Sequence, residues 1–137
     1  MQPYNSAIQA LGAGDLALDD GTFDMAYLLD AYAEDLTDVG HDFEADLGAN
    51  ISHRQALVNP TWVDRVFDAD DMSVVDPDNG DTVTKIAIIK TSGTGGGGAA
   101  ATNRVVAYQA LASAVTWDGT NDNHTFDAQG IFRIGAA

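Results

Sequence analysis

Short β-type segments separated by turn residues constrain the fold of this chain more than any other feature. From Phe67 onward, apolar stretches alternate with turn signals such as Asp76-Pro-Asp-Asn-Gly-Asp81 and Asp118-Gly-Thr-Asn-Asp122. Residues Thr82 to Thr91 form a β-branched run that is typical of a central strand. About seven or eight strands at this spacing predict one mainly β domain over residues 1–137, an antiparallel β-sandwich or barrel.

The first fifty residues are predicted to contain two short helical segments and one strand. Asn5–Leu11 is predicted to be a helix that docks through Ile8 and Leu11. Asp42–Leu47 predicts a single helical turn, pinned by apolar residues at i and i+4. Between them, Thr22–Tyr32 alternates apolar and polar residues, which is typical of a half-buried strand.

Two later segments carry further structural predictions. Thr61–Phe67 is predicted to form one strand that begins after Pro60, which cannot donate a hydrogen bond at that position. Residues 92–103 are rich in Gly and Ala and predict a flexible loop that no packing requires. Its run Thr94-Gly-Gly-Gly-Gly98 is not a phosphate-binding loop, because alanines follow where Lys and Ser/Thr would be needed.

The charge balance is strongly acidic, with 21 Asp and Glu against 6 Lys and Arg and a formal net charge of −15. No basic residue precedes Arg54, so the first part of the chain would repel phosphate and nucleic-acid binding is not expected. A solvated acidic face, docking onto a basic partner and divalent-cation binding all remain open. No apolar run approaches the roughly 20 residues of a membrane helix, so no membrane association is expected.

No catalytic residues are predicted, and the metal candidates are weak. Asp68 and Asp70 would point the same way from a strand and could share a cation, while Asp76 and Asp78 only faintly resemble a calcium loop. The histidines His41, His53 and His124 lack ligand spacing. We therefore expect no cofactor, with calcium as the alternative.

Trp62 and Trp117 each flank a turn, as core or rim aromatic residues do. Tryptophan is also over-represented in protein interfaces, so both are candidate anchors for a partner.

Several segments, taken in order, resemble a family of small β-rich structural proteins from tailed-bacteriophage virions, of the head decoration or neck type. The segments include Phe23-Asp-Met-Ala-Tyr-Leu-Leu29, His41-Asp-Phe-Glu-Ala-Asp-Leu47, Phe67-Asp-Ala-Asp-Asp-Met72, Val105-Val-Ala-Tyr-Gln-Ala110 and the ending Thr125-Phe-Asp-Ala-Gln-Gly-Ile-Phe-Arg-Ile134. Their order and spacing cover nearly the whole chain.

This resemblance implies a non-enzymatic virion protein. The favoured expectation is a capsid decoration or cement protein, or a turret, that binds the major capsid protein and stabilises the assembled head. Copies are expected to associate around a capsid symmetry axis, after synthesis in the host cytoplasm. A neck or tail protein, or a calcium- or carbohydrate-binding adhesion module, remains the alternative.

Overall fold

The computed structural model describes residues 1–33, 42–74, 80–120 and 130–134, together with the backbone of 122–124. The chain is mainly β and resembles a β-sandwich, as the sequence predicts, and its sheets do not close into a barrel. The described strands are β1 (Gln2–Pro3), β2 (Phe23–Leu29), β3 (Ile51–Ala56), β4 (Val58–Val63), β5 (Val66–Asp70), β6 (Met72–Val74), β7 (Thr82–Lys90), β8 (Val105–Thr116), β9 (Asp122–His124) and β10 (Phe132–Arg133). Helix α1 spans Asn5–Ala13 and a 3-10 helix spans Glu44–Asn50.

The larger sheet has five strands in the order β1-β8-β7-β2-β3, and every neighbouring pair is antiparallel. Strand β7 lies at its centre, and its residues from Ile86 to Lys90 are all buried, which confirms the predicted central strand. Strand β2 is its neighbour and buries both of its faces, since Ala26 and Leu28 are as inaccessible as Met25. The prediction of a half-buried strand was therefore wrong in its burial, because both faces of β2 are covered.

Three strands in the order β10-β5-β4 form a second sheet, and β6 pairs with β9 as a separate ribbon. Phe67 of β5 joins the two sheets. Its ring packs edge-on against Phe23 of β2 at a centroid distance of 4.8 Å and stacks on Phe132 of β10 at 5.1 Å. Aromatic pairs of this geometry contribute about 0.5–1.5 kcal/mol beyond the burial of their area.

The predicted strand Thr61–Phe67 is instead a hairpin, and this corrects the sequence interpretation. Val63 pairs with Val66 across the two-residue turn formed by Asp64 and Arg65. Both turn residues have positive φ, 53° and 65°. Tight hairpin turns require this conformation and usually place Gly or Asn there, so the sequence carried no turn signal.

Helix α1 docks mainly through small residues, and of the predicted pair only Leu11 packs against the core. Ser6, Ala7 and Ala10 are its buried residues, whereas Ile8 is 39% exposed. Small side chains let the helix backbone approach the sheet closely. The helix begins after Tyr4, whose hydroxyl lies 2.6 Å from that of Tyr32.

The helical turn predicted over Asp42–Leu47 is displaced towards the C-terminus, as the 3-10 helix Glu44–Asn50. Leu47 is fully buried, as its place in the predicted turn requires. The Asp46 carboxylate accepts hydrogen bonds from the backbone N–H groups of Asp42 and Phe43, and these bonds fix the start of the helix.

The Gly-rich loop 92–103 packs closely against the body of the protein, so the interpretation that no packing requires it was wrong. A Cβ on Gly96 would lie 2.5 Å from the backbone nitrogen of Ser92, and one on Gly95 would lie 2.8 Å from Leu16. The loop backbone also bonds to Ala17 and Ala45. Glycine is required here for close approach of neighbouring segments.

In the described part of the chain, no helix is long and apolar enough to cross a membrane.

Two Gly→Ala substitutions are expected to have opposite effects on stability. Gly12 lies in α1 with open space where a methyl group would be added, so Gly12→Ala should raise the free energy of unfolding by about 0.5–1 kcal/mol. Gly96→Ala should lower it by about 1–3 kcal/mol, since the new methyl group meets backbone atoms. Urea unfolding of both variants measures this contrast, and equal stability of the two would contradict the close packing of the loop.

Candidate interaction surface

The hairpin formed by β7, the Gly-rich loop and β8 carries no acidic side chain. From Thr82 to Trp117 the sequence contains no Asp or Glu, although the whole chain has 21. The same span holds three of the six basic residues, Lys85, Lys90 and Arg104. The charge of this protein is therefore strongly segregated along the chain.

The second half of β8 displays the uncharged part of this hairpin to solvent. We call its exposed side chains the uncharged β8 surface: Gln109, Ala110, Ala112, Ser113, Ala114 and Thr116. At this end of the hairpin, the Asp30 carboxylate accepts a hydrogen bond from the Thr84 hydroxyl on the neighbouring strand. The second half of β8 is therefore an exposed strand without charged side chains in an otherwise acidic protein.

Part of the β8 backbone at this surface is not paired with another described strand. Strand β1 pairs only with Ala107 and Tyr108, so the outer edge of β8 has no register partner after Tyr108 in the described residues. On the inner side the register with β7 shifts, and four residues, Leu111–Ala114, lie opposite Thr84 alone. Among the described residues, no strand pairs with these N–H and C=O groups, and such groups can bond to a partner's backbone.

A buried lysine holds the Gly-rich loop at the other end of the hairpin. The Lys90 side chain is fully buried, and its ammonium group lies 4.4 Å from the centroid of the Phe23 ring. It donates to the carbonyl oxygens of Ala17, at 2.9 Å, and Asp20, and to the Asp20 carboxylate at 2.6 Å. The segment before β2 is thereby fixed to the end of β7.

The Asp20 carboxylate extends this connection into the loop. It accepts hydrogen bonds from the backbone N–H of Thr94 and from the Thr94 hydroxyl, the latter at 2.9 Å. The hydrogen bond from Lys90, followed by those from Thr94, lowers the pKa of Asp20 from its usual 3.8 to about 2. The carboxylate is therefore ionised throughout the physiological range.

A second polar cluster holds the far end of the loop. The Asn103 side chain accepts from the backbone N–H of Gly98 and donates to the buried Glu44 at 2.8 Å. Arg54 bonds to the other Glu44 oxygen and, at 2.8 Å, to Asp24. Both ends of the loop are thus bonded to other elements, which gives the hairpin a defined conformation.

The predicted metal candidates are only partly within the described structure. Asp70 is exposed and accepts a hydrogen bond from Asn59, while Asp68 accepts one from the backbone of Ala69. Asp76 and Asp78 lie outside the described residues. Where side chains are described, no three His, Asp or Glu residues cluster as a metal site would require.

The two tryptophans lie in different environments. Trp117 is only 2% exposed and packs edge-on against Tyr27. Its indole N–H donates to the Ser52 hydroxyl, so of the two predicted roles, core aromatic and interface anchor, the structure places Trp117 in the core. Trp62 is half-buried opposite Phe67 and stays a candidate for contact with a partner.

His53 is the one histidine whose side chain is described, and it belongs to the cluster around Trp117. Its ring stacks on Tyr27 at a centroid distance of 6.1 Å and lies 5.8 Å from the Trp117 ring. The neighbouring Ser52 hydroxyl donates to Asp81 at 2.7 Å. The serine is therefore oriented towards the carboxylate, and its hydrogen bonds tie β3 to the ends of β7 and β8.

Comparisons with protein-family models, with curated proteins and with solved structures find no match to this chain. The resemblance to phage virion proteins therefore stays a prediction from the sequence.

Sequence reasoning missed the uncharged β8 surface, although a signal for it was present. The run from Thr82 to Trp117 contains no acid in a chain where acids are otherwise frequent. The many acidic residues in the first part of the chain are more conspicuous. The span without acidic residues, however, is the feature that locates the β8 surface.

The ion pair between Lys90 and Asp20 predicts that replacing one of the two side chains lowers the thermal stability more than replacing the other. Asp20→Asn should lower the melting temperature more than Lys90→Met, because it leaves a buried ammonium uncompensated, whereas the Asp20 side chain is 43% exposed and can be hydrated. Thermal unfolding of both variants at neutral pH measures this order. A larger loss for Lys90→Met would contradict the account.

The lowered pKa of Asp20 also predicts a pH dependence. Its folded pKa lies below the unfolded value, so its contribution to stability is complete above about pH 4 and disappears as the pH falls towards 2. The difference in melting temperature between the wild type and Asp20→Asn should shrink across this window. A constant difference would show that the carboxylate is not held as described.

Proposed function

We propose that this protein is a structural component of a tailed-phage virion, a capsid decoration or cement protein that binds the assembled head through the uncharged β8 surface. The proposal is supported by the resemblance of the sequence to phage virion proteins and by the uneven distribution of charge in the fold. It includes association of several copies around a capsid symmetry axis.

The uncharged β8 surface carries this proposal. A molecule with a net charge of −15 is repelled by other acidic surfaces, and desolvating a carboxylate in an interface is costly. Six exposed side chains without charge, on a strand whose outer edge has no partner after Tyr108 among the described residues, avoid both penalties. Interface cores are depleted of charged residues in the same way.

The acidic remainder of the molecule then faces solvent or basic regions of the shell. Exposed carboxylates such as Asp15, Asp19 and Asp46 lie outside the hairpin and keep the particle surface soluble. A rigid hairpin is suited to this role, because a preordered surface loses less conformational entropy on binding.

Stabilisation of the head would follow from mass action. A protein that binds the assembled shell but not its separated subunits stabilises the shell by RT ln(1 + [L]/Kd) for each site. No chemical step is needed, and several simultaneous contacts around a symmetry axis would strengthen weak individual ones.

A single new carboxylate on the β8 surface should weaken shell binding. Ala112→Asp is expected to raise the Kd for mature heads that lack the protein by about tenfold or more, because the charge must be desolvated in the contact. Ala31→Asp, which adds the same charge at an exposed turn outside the hairpin, is the matched control. Co-sedimentation with purified heads measures both.

Two results would contradict the proposal. Wild-type protein that does not co-sediment with heads of its own phage would remove the decoration function. Equal weakening by Ala112→Asp and Ala31→Asp would show that total charge, and not the β8 surface, decides binding.

A further inference from the structure

The only two exposed basic residues of the chain lie one register position apart in the second sheet. Of the six basic residues, Lys90 is buried and three more are partly buried. Arg65 and Arg133 are exposed. Arg133 of β10 is the register partner of Val66, and Ile134 donates to the Arg65 carbonyl at 3.0 Å. The two arginines therefore occupy neighbouring positions at one end of the second sheet.

The four other basic residues are engaged within the molecule. Lys90 binds Asp20, and Arg54 binds Asp24 and Glu44. Lys85 donates to backbone carbonyl oxygens, and Arg104 lies 4.8 Å from the centroid of the Phe43 ring.

Arg65 and Arg133 have no ion pair within the described part of the chain. Two carboxylates lie nearby, at Asp64 in the same turn and at Asp68 on β5, and Asp68 accepts a hydrogen bond from the Ala69 backbone. In a chain with 21 acidic residues, both exposed arginines are without an ion pair among the described residues.

An exposed apolar side chain adjoins the arginines. Val63 is 64% exposed, the highest value among the large hydrophobic residues described, and its register places it on the same face as Val66 and Arg133. The turn that positions it has positive φ at Asp64 and Arg65, neither of which is glycine.

We propose that this hairpin tip, defined as Val63, Arg65, Val66 and Arg133, binds the acidic surface of a second copy of the chain. Charge complementarity identifies the occupant, since the rest of each molecule is strongly acidic and the tip is where its positive charge is exposed. The contact joins two different surfaces. It is therefore heterologous, and it closes into a ring when the rotation between neighbours allows.

This inference rests on the proposed function for its biological setting, because it supplies the contact by which copies would associate around a capsid axis. It is tested without heads. Failure of self-association and failure of shell binding are therefore separate results.

Sedimentation velocity of the purified protein over a range of concentrations and NaCl is the test. The wild type should associate at low salt and dissociate as screening increases. Arg65→Gln with Arg133→Gln should raise the dissociation constant about tenfold or more. Val63→Thr, which keeps the β-branched shape, should raise it by a smaller factor.

The control Gln9→Glu with Ala31→Asp also changes the net charge by two units, at exposed positions outside both the β8 surface and the hairpin tip. It should leave association nearly unchanged. The proposal is overturned if the wild type is monomeric at all concentrations, if association does not depend on salt, or if the control weakens it as much as the arginine variant. Loss of head binding by the arginine variant, with a monomeric wild type, would assign the tip to the shell instead.

Discussion

The buried ammonium of Lys90 connects the parts of this structure that are otherwise far apart in sequence. It sits at the end of the central strand and binds the segment before β2, and through Asp20 it also positions Thr94. A buried charge is tolerated only when it is paired and hydrogen-bonded, so these partners are constrained together. The Gly-rich loop follows from this constraint, because only glycine permits the close approach that the network requires.

Charged side chains are unevenly distributed over the fold, and this distribution distinguishes its surfaces. The acid-free β7–β8 hairpin lies within the larger sheet, whereas the arginines Arg65 and Arg133 are exposed at the end of the smaller one. One molecule therefore has an uncharged surface, an acidic surface and a small basic tip. These three surfaces are suited to different contacts, and the proposed shell binding and self-association would each use a different one.

The sequence predicted those elements in which local pattern and burial agree. The β-branched run of β7 and the helix near the N-terminus were found, because their periodicity and length determine their type. The hairpin at Asp64 was missed, since Arg65 occupies the second turn position, where Gly is usual. The docking face of α1 and the burial of Trp117 depend on which element lies opposite, and a single sequence does not contain that information.

Quantitative mass spectrometry of purified virions tests the central claim most directly, by measuring the copy number of this chain relative to the major capsid protein. A decoration protein covers the shell, so its copy number should be a large and fixed fraction of that of the capsid protein. A few copies for each particle would move the protein to the neck or tail. Absence of the chain from virions would contradict the structural role altogether.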